Sequence, residues 1–151
     1  MIYQINMKIN TPTNTVLYAI EETIKAYRKL SAKNISEVIP DITVDQALIL
    51  LILDKNTDHT QMELADLVFK DYASITRILK LMEKKGYLTK TIDAKDKRRS
   101  TLTIADKGKK AISLLAPVIS LNRTTALNGL TEPERIQLFE LLKKITKNCT
   151  N

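Results

Sequence analysis

A chain of 151 residues with 44% hydrophobic and 27% charged residues carries enough apolar material for one packed domain, which excludes a disordered or fibrous protein. The longest apolar run, Ala47 to Leu53, is far too short to cross a bilayer, and the N-terminus lacks the basic-then-apolar pattern of a leader. A lone Cys149 excludes an internal disulfide framework, so a reducing, cytoplasmic setting away from membranes is expected.

The net charge of +7 is concentrated in one stretch. From Lys70 to Lys110 there are 13 Lys and Arg against 5 Asp and Glu, a net of +8, so the remaining residues together carry −1. Excess charge gathered into one contiguous segment suits contact with phosphates, because each neutralised phosphate releases condensed counterions.

Residues 1–14 alternate weakly and close on Thr11-Pro12-Thr13-Asn14, a turn or cap, so an irregular arm is expected there. From Thr15, Val16, Ile20, Ile24 and Tyr27 recur at helical spacing, with Leu17 and Leu30 beside them. An amphipathic helix is predicted to about Lys33, with Glu21, Glu22, Lys25 and Arg28 on its wet side. Thr43/Gln46, Thr60/Glu63 and Thr131/Glu134 each set a Thr three residues before Gln or Glu. This is the capping box that satisfies N–H groups left orphaned by a first helical turn. The helix from Thr43 to about Lys55 is apolar nearly all round and belongs at the centre. The one from Thr60 to about Val68 turns Leu64, Ala65 and Val68 inward.

Asp71 is placed to cap a further helix whose Ile75, Ile78, Leu79 and Met82 form the core face, with Gly86 as its left-handed stop. Tyr87–Ile92 and Ser100–Ile104 then alternate with period two, predicting a hairpin whose charged connection, Asp93 to Arg99, stays in solvent. Two helices follow, about Asp106 to Ala126 and Glu132 to Lys147. On the last, Ile136, Phe139, Leu142 and Ile145 form a stripe that Leu138 and Leu141 widen beyond one neighbour's needs, so a second copy of the chain is expected to cover it.

The fold expected is mainly α: a winged helix-turn-helix over residues 42–105, with a two-stranded wing, flanked by dimerisation helices at 15–35 and 106–148, all within a single domain over 1–151. An enzyme finds little here. Three isolated glycines and one His build neither a phosphate loop nor a metal site, and no cofactor is expected. His59 precedes a capping box as a solvated turn residue, and Cys149 sits in a tail that offers no activated thiolate.

The run Asp71, Ser74, Ile75-Thr76-Arg77, Leu81, Glu83, Lys85-Gly86, Leu88, followed by Asp96 and Arg98 and then Gly108 twelve residues after Asp96, resembles the MarR family of bacterial transcriptional regulators. The match is close from about Ile42 to Lys110 and one of layout in the flanking helices. It departs at Ile104-Ala105, where the family's usual Thr cap is missing and Asp106 is expected to cap one residue later, and at Lys97, where Arg is common.

The resemblance implies a homodimer, most simply a repressor, on double-stranded DNA, with recognition helices in successive major grooves and wings in the flanking minor grooves. Arg98 would enter the minor groove with Asp96 holding its guanidinium, and Lys95, Lys97 and Arg99 would meet phosphates. On the recognition helix Tyr72, Ala73, Ser74, Thr76, Arg77 and Lys80 are the contact candidates. Arg77 suits either guanine or phosphate, and Tyr72 suits either DNA or packing on the turn. Thr60 and Gln61 offer a helix start to a phosphate or serve as caps. A small aromatic or phenolic effector would lie between the reading unit and the dimer helices, with Ile24, Tyr27 and Leu48 as lining candidates or core residues. The alternative is a winged-helix module for protein or RNA interaction without sequence-specific DNA binding.

Overall fold

The computed structural model describes residues 12–96 and 100–150. A 3-10 turn at Pro12–Asn14 leads into α1 (Val16–Val38), which Thr15 caps by accepting from the Tyr18 N–H. Then come α2 (Val44–Lys55), α3 (Gln61–Leu67), α4 (Tyr72–Lys84), β1 (Leu88–Ile92), β2 (Ser100–Ile104), α5 (Asp106–Ala126) and α6 (Glu132–Thr150). The strands form an antiparallel hairpin in which Leu88 faces Ile104 and Lys90 faces Leu102. A mainly helical fold with a two-stranded wing is therefore what the chain adopts.

All three capping boxes form. The Thr43, Thr60 and Thr131 hydroxyls accept from the Gln46, Glu63 and Glu134 N–H groups, and each of those side chains accepts from its Thr N–H in return. Around α2 gathers the core: Ala47, Ile49, Leu50 and Leu53 meet Leu64, Ala65 and Val68 of the α3 region, Ile75, Leu79 and Met82 of α4, and Leu102 of β2. Burial of these side chains is the main favourable term holding α2, α3, α4 and the hairpin as one body.

α1 continues one turn beyond the expected Lys33, to Val38. Its buried positions are Ser31 and Ile35, and a polar Ser on the buried face hides the helical period from a hydrophobicity reading. It stops where Pro40 pushes Ile39 into extended backbone. Half-buried Asn34 donates to the buried Asn122 at 2.7 Å, a polar link between α1 and α5.

Asp106 does not cap α5. Ala105 occupies the cap position with no side-chain bond, and Asp106 lies in the first turn, where the positive end of the helix dipole favours it. Nor is Cys149 in a tail: α6 runs on to Thr150, whose hydroxyl donates to Thr146 O and Lys147 O, and Cys149 is exposed on this last turn.

Gly108 is needed where α5 meets the hairpin. A Cβ there would sit 2.4 Å from Tyr87 O and 2.7 Å from Ile104 Cγ2. That carbonyl is itself fixed by the Ala105 N–H at 3.0 Å. Below it, the buried Tyr87 donates its hydroxyl to Asp41 Oδ1 at 2.7 Å, while the Lys107 ammonium lies 4.5 Å from the ring centroid and donates to Lys85 O.

Candidate nucleic-acid interface

α3 and α4 are joined by a turn that ends α3 with a hydrogen-bond pattern usually built around glycine. Phe69 N–H donates to Asp66 O and Lys70 N–H to Ala65 O, a Schellman arrangement that puts Phe69 in the left-handed region at φ 58. The same pattern ends α4, where Gly86 takes that place at φ 86. The ring of Phe69 is 88% exposed. Beyond the turn Asp71 caps α4, accepting from Ser74 N–H at 2.6 Å. Its carboxyl lies below the ordinary value chiefly through hydrogen bonds from the Ser74 backbone and side chain.

Tyr72, Ala73, Arg77 and Lys80 are exposed at the start and on the outer face of α4, Tyr72 to 56%. Ser74 and Thr76 are half-buried. Arg77 donates to Ser74 Oγ at 3.2 Å, which lays its guanidinium along the helix surface.

Gln61 turns toward α4 and the wing. Its Nε2 donates to Thr76 Oγ1 at 2.5 Å and its Oε1 accepts from Lys90 Nζ at 3.5 Å, while the Thr76 hydroxyl donates to Tyr72 O. One amide thus ties the start of α3, the recognition helix and the first wing strand together. Lys90, not singled out from the sequence, belongs to this group. Between the hairpin and the start of α3 runs a cleft lined by Thr60, Gln61, Tyr72, Lys90, Ser100 and Thr101, among others. His59 borders it, 3.8 Å from Glu63. In the wing, Asp93 Oδ1 accepts from Lys95 N–H, and Asp93 to Asp96 are exposed. Lys97, Arg98 and Arg99, and with them the expected grip of Asp96 on Arg98, lie outside the described residues.

A cavity of about 460 Å³ lies among α1, α2, the Phe69-Lys70 turn and α5. Ile24, Tyr27 and Leu48 line it, as do Phe69, Ile119 and Arg123. Arg28, expected on the wet side of its helix, is here half-buried and donates to Asp45 Oδ1 at 2.6 Å, and Lys70 approaches Asp45 Oδ2 at 3.3 Å. Burial alone would raise the Asp45 carboxyl, but hydrogen bonds and charge from Arg28 and Lys70 outweigh it and hold the carboxyl below the ordinary value. The sequence signals here were masked: Asp45 lies inside a capping box, Arg28 read as a wet-side charge, and Lys70 was counted in the basic segment expected to meet phosphates.

The sequence model of the MarR family matches residues 41–99. The chain is 30% identical over 135 residues to the uncharacterised HTH-type transcriptional regulator YybA of Bacillus subtilis, covering 89% of each protein. It is 34% identical over 86 residues to the similar protein YwaE of the same organism, a match spanning 57% of this chain and half the length of YwaE. Among solved structures it resembles the transcriptional regulator SlyA, with a TM-score of 0.79 and 26% identity over 89% of this chain and 93% of that one. The fold is shared at lower identity, 19%, by MepR of S. aureus in complex with DNA, with a TM-score of 0.78 over 90% and 97% of the two chains. At 17% it is shared by BpsR of Bordetella bronchiseptica, whose DNA binding is regulated by 6-hydroxynicotinic acid, with a TM-score of 0.76 over 89% and 94%.

Proposed function

Because this chain belongs to the MarR family of transcriptional regulators, we propose that it works in the cytoplasm as a homodimeric repressor. In this reading each copy lays α4 in a major groove of double-stranded DNA and reaches the neighbouring minor groove with its wing. The observation that carries it is the exposed outer face of α4, with Tyr72 at its start and Arg77 and Lys80 beyond, standing beside the wing across the cleft of Thr60, Gln61 and Lys90.

The division of labour follows the expected regions: residues 42–105 read DNA, while 15–35 and 106–148 pair with a second copy. Tyr72, Ala73, Arg77 and Lys80 face the groove. Ser74 and Thr76 sit half-buried beside them, with Gln61 and Thr76 setting the pose of α4 and Thr60 and Lys90 meeting the backbone. Lys95, Lys97 and Arg99 serve phosphates, and Arg98, steadied by Asp96, enters the minor groove. An effector with an aromatic body occupies the cavity lined by Ile24, Tyr27 and Leu48 and releases the dimer from DNA. In this reading the chain carries out no catalysis.

Fluorescence anisotropy with DNA from upstream of the protein's own coding sequence, against random duplex at two salt concentrations, tests the reading. A preference of at least ~10³ for the upstream duplex is expected, as specific regulators show. Arg98→Ala should weaken binding and flatten the salt slope, and Arg77→Ala should cost more selectivity than Lys95→Ala. Equal affinity for both duplexes would favour an interaction module instead.

A further inference from the structure

The hydroxyl of Thr76 is committed inside the protein. It donates its single proton to Tyr72 O at 2.8 Å, one turn back along α4, and accepts from Gln61 Nε2 at 2.5 Å. A threonine hydroxyl has one proton and two lone pairs, so no donor and a single lone pair remain for anything outside. The amide that holds it is committed too. Gln61 Oε1 lies 3.5 Å from Lys90 Nζ, and because an ammonium only donates, the amide oxygen must face Lys90 and the amide nitrogen Thr76.

Thr76 shares its row of α4 with Tyr72 and Lys80, one turn to either side, and both of these are exposed, as are Ala73 and Arg77. Thr76 itself is half-buried among them. With no proton left to give, it cannot donate to the acceptors on a base edge, which are N7 of either purine, O6 of guanine and O4 of thymine. Turning the hydroxyl to a base would break two hydrogen bonds to make one. What Thr76 keeps is a methyl group, on a β-branched carbon whose χ1 the two hydrogen bonds fix. In the major groove the apolar group on a base edge is the 5-methyl of thymine.

We propose that Thr76 selects a thymine in each half-site through methyl–methyl contact, and that Gln61 is the positioning residue that keeps its hydroxyl turned away from the bases. This rests on the reading of α4 as the helix in the major groove. It adds the identity of one base, the residue that selects it and the residue that holds the selector in place. Gln61 accordingly acts on DNA through Thr76 and not by an amide contact of its own.

Fluorescence anisotropy on the upstream duplex, with its thymines replaced one at a time by deoxyuridine, tests this, because the replacement removes the 5-methyl and keeps every base pair. For the wild type, one thymine in each half-site should be sensitive, its replacement weakening binding about fourfold, the burial of one methyl group. Thr76→Ser keeps the hydroxyl and lacks only the methyl, and should bind the thymine and uracil duplexes equally at that position. Gln61→Met should show a smaller ratio than the wild type. That ratio compares two duplexes on one protein, so a general loss of folded protein leaves it unmoved. Ala73→Gly, which removes another exposed methyl of α4, should keep the fourfold ratio. No sensitive thymine in the wild type, a uracil effect that survives Thr76→Ser, or one that disappears in Ala73→Gly overturns the assignment while leaving the major-groove reading standing. An unchanged ratio in Gln61→Met overturns the positioning role. Equal binding of upstream and random duplex removes the major-groove reading and this inference together.

Discussion

Two regions of the chain are finished to different degrees. In the body formed by α2, α3, α4 and the wing, Ile49, Leu50, Leu53, Leu64, Ile75 and Met82 are removed from solvent, in one cluster with Ile35 of α1 and Ala111 and Leu115 of α5. α6 buries no residue at all, and Ile136, Leu138, Phe139, Leu141 and Leu142 stand exposed along it. The first turns of α1 are similar, with Val16, Leu17 and Tyr18 uncovered. Exposed apolar side chains in that density are costly in water unless something covers them. Among the described residues a single copy therefore leaves this platform uncovered, and in the proposed dimer a second copy covers it.

Substitutions in the two regions should have different consequences. Leu50→Ala removes a fully buried side chain from the reading body and should cost about 3 kcal/mol of stability in urea unfolding while the folded fraction still pairs. Phe139→Asp should instead leave helical content intact by circular dichroism and weaken self-association by about 30-fold or more in sedimentation equilibrium, the loss of one ~2 kcal/mol anchor. If Phe139→Asp remained as firmly paired as the wild type, the platform would have to lie elsewhere.

The joint between the regions gives smaller effects. Gly108→Ala places a methyl against the Tyr87 carbonyl and the Ile104 side chain and should cost about 2 kcal/mol, whereas Gly129→Ala, with open space around it, meets only its left-handed φ of 86 and should cost about 1 kcal/mol. Tyr87→Phe, losing the hydroxyl's bond to Asp41, should cost about 1 kcal/mol.

Burial, and then the Asp41 hydrogen bond and charge, push the Tyr87 hydroxyl up to about 12 from 10.0. The folded state thus holds this proton more tightly than the unfolded chain. Its contribution is complete below pH 10 and lost as the pH rises from 10 towards about 12, a decline in unfolding free energy that Tyr87→Phe should reduce.

What could be read before folding was local. Capping boxes and Gly86 announce themselves because one residue type does one stereochemical task, and strand alternation at Tyr87–Ile92 needs no knowledge of the partner strand. The missed features depend on tertiary neighbours. Ser31 is a polar residue buried on α1, so the helix appeared to end early. Phe69 performs a glycine's backbone task without being glycine, which no residue pattern signals. Arg28, Asp45 and Lys70 become one ion-paired group only when α1, α2 and the α3–α4 turn meet. Gln61 was legible as a residue at the start of a helix, yet its grip on Thr76 and Lys90 needed the packed wing. Ile24, Tyr27 and Leu48 were offered by the family resemblance alone, as lining or core residues, and all three line the cavity.

Native mass spectrometry of the protein on a saturating duplex from its own upstream region tests the central claim most directly. Two chains on each specific duplex, with Phe139→Asp losing that complex while still folded, is the predicted result. A wild-type complex saturating at one chain per duplex would contradict it.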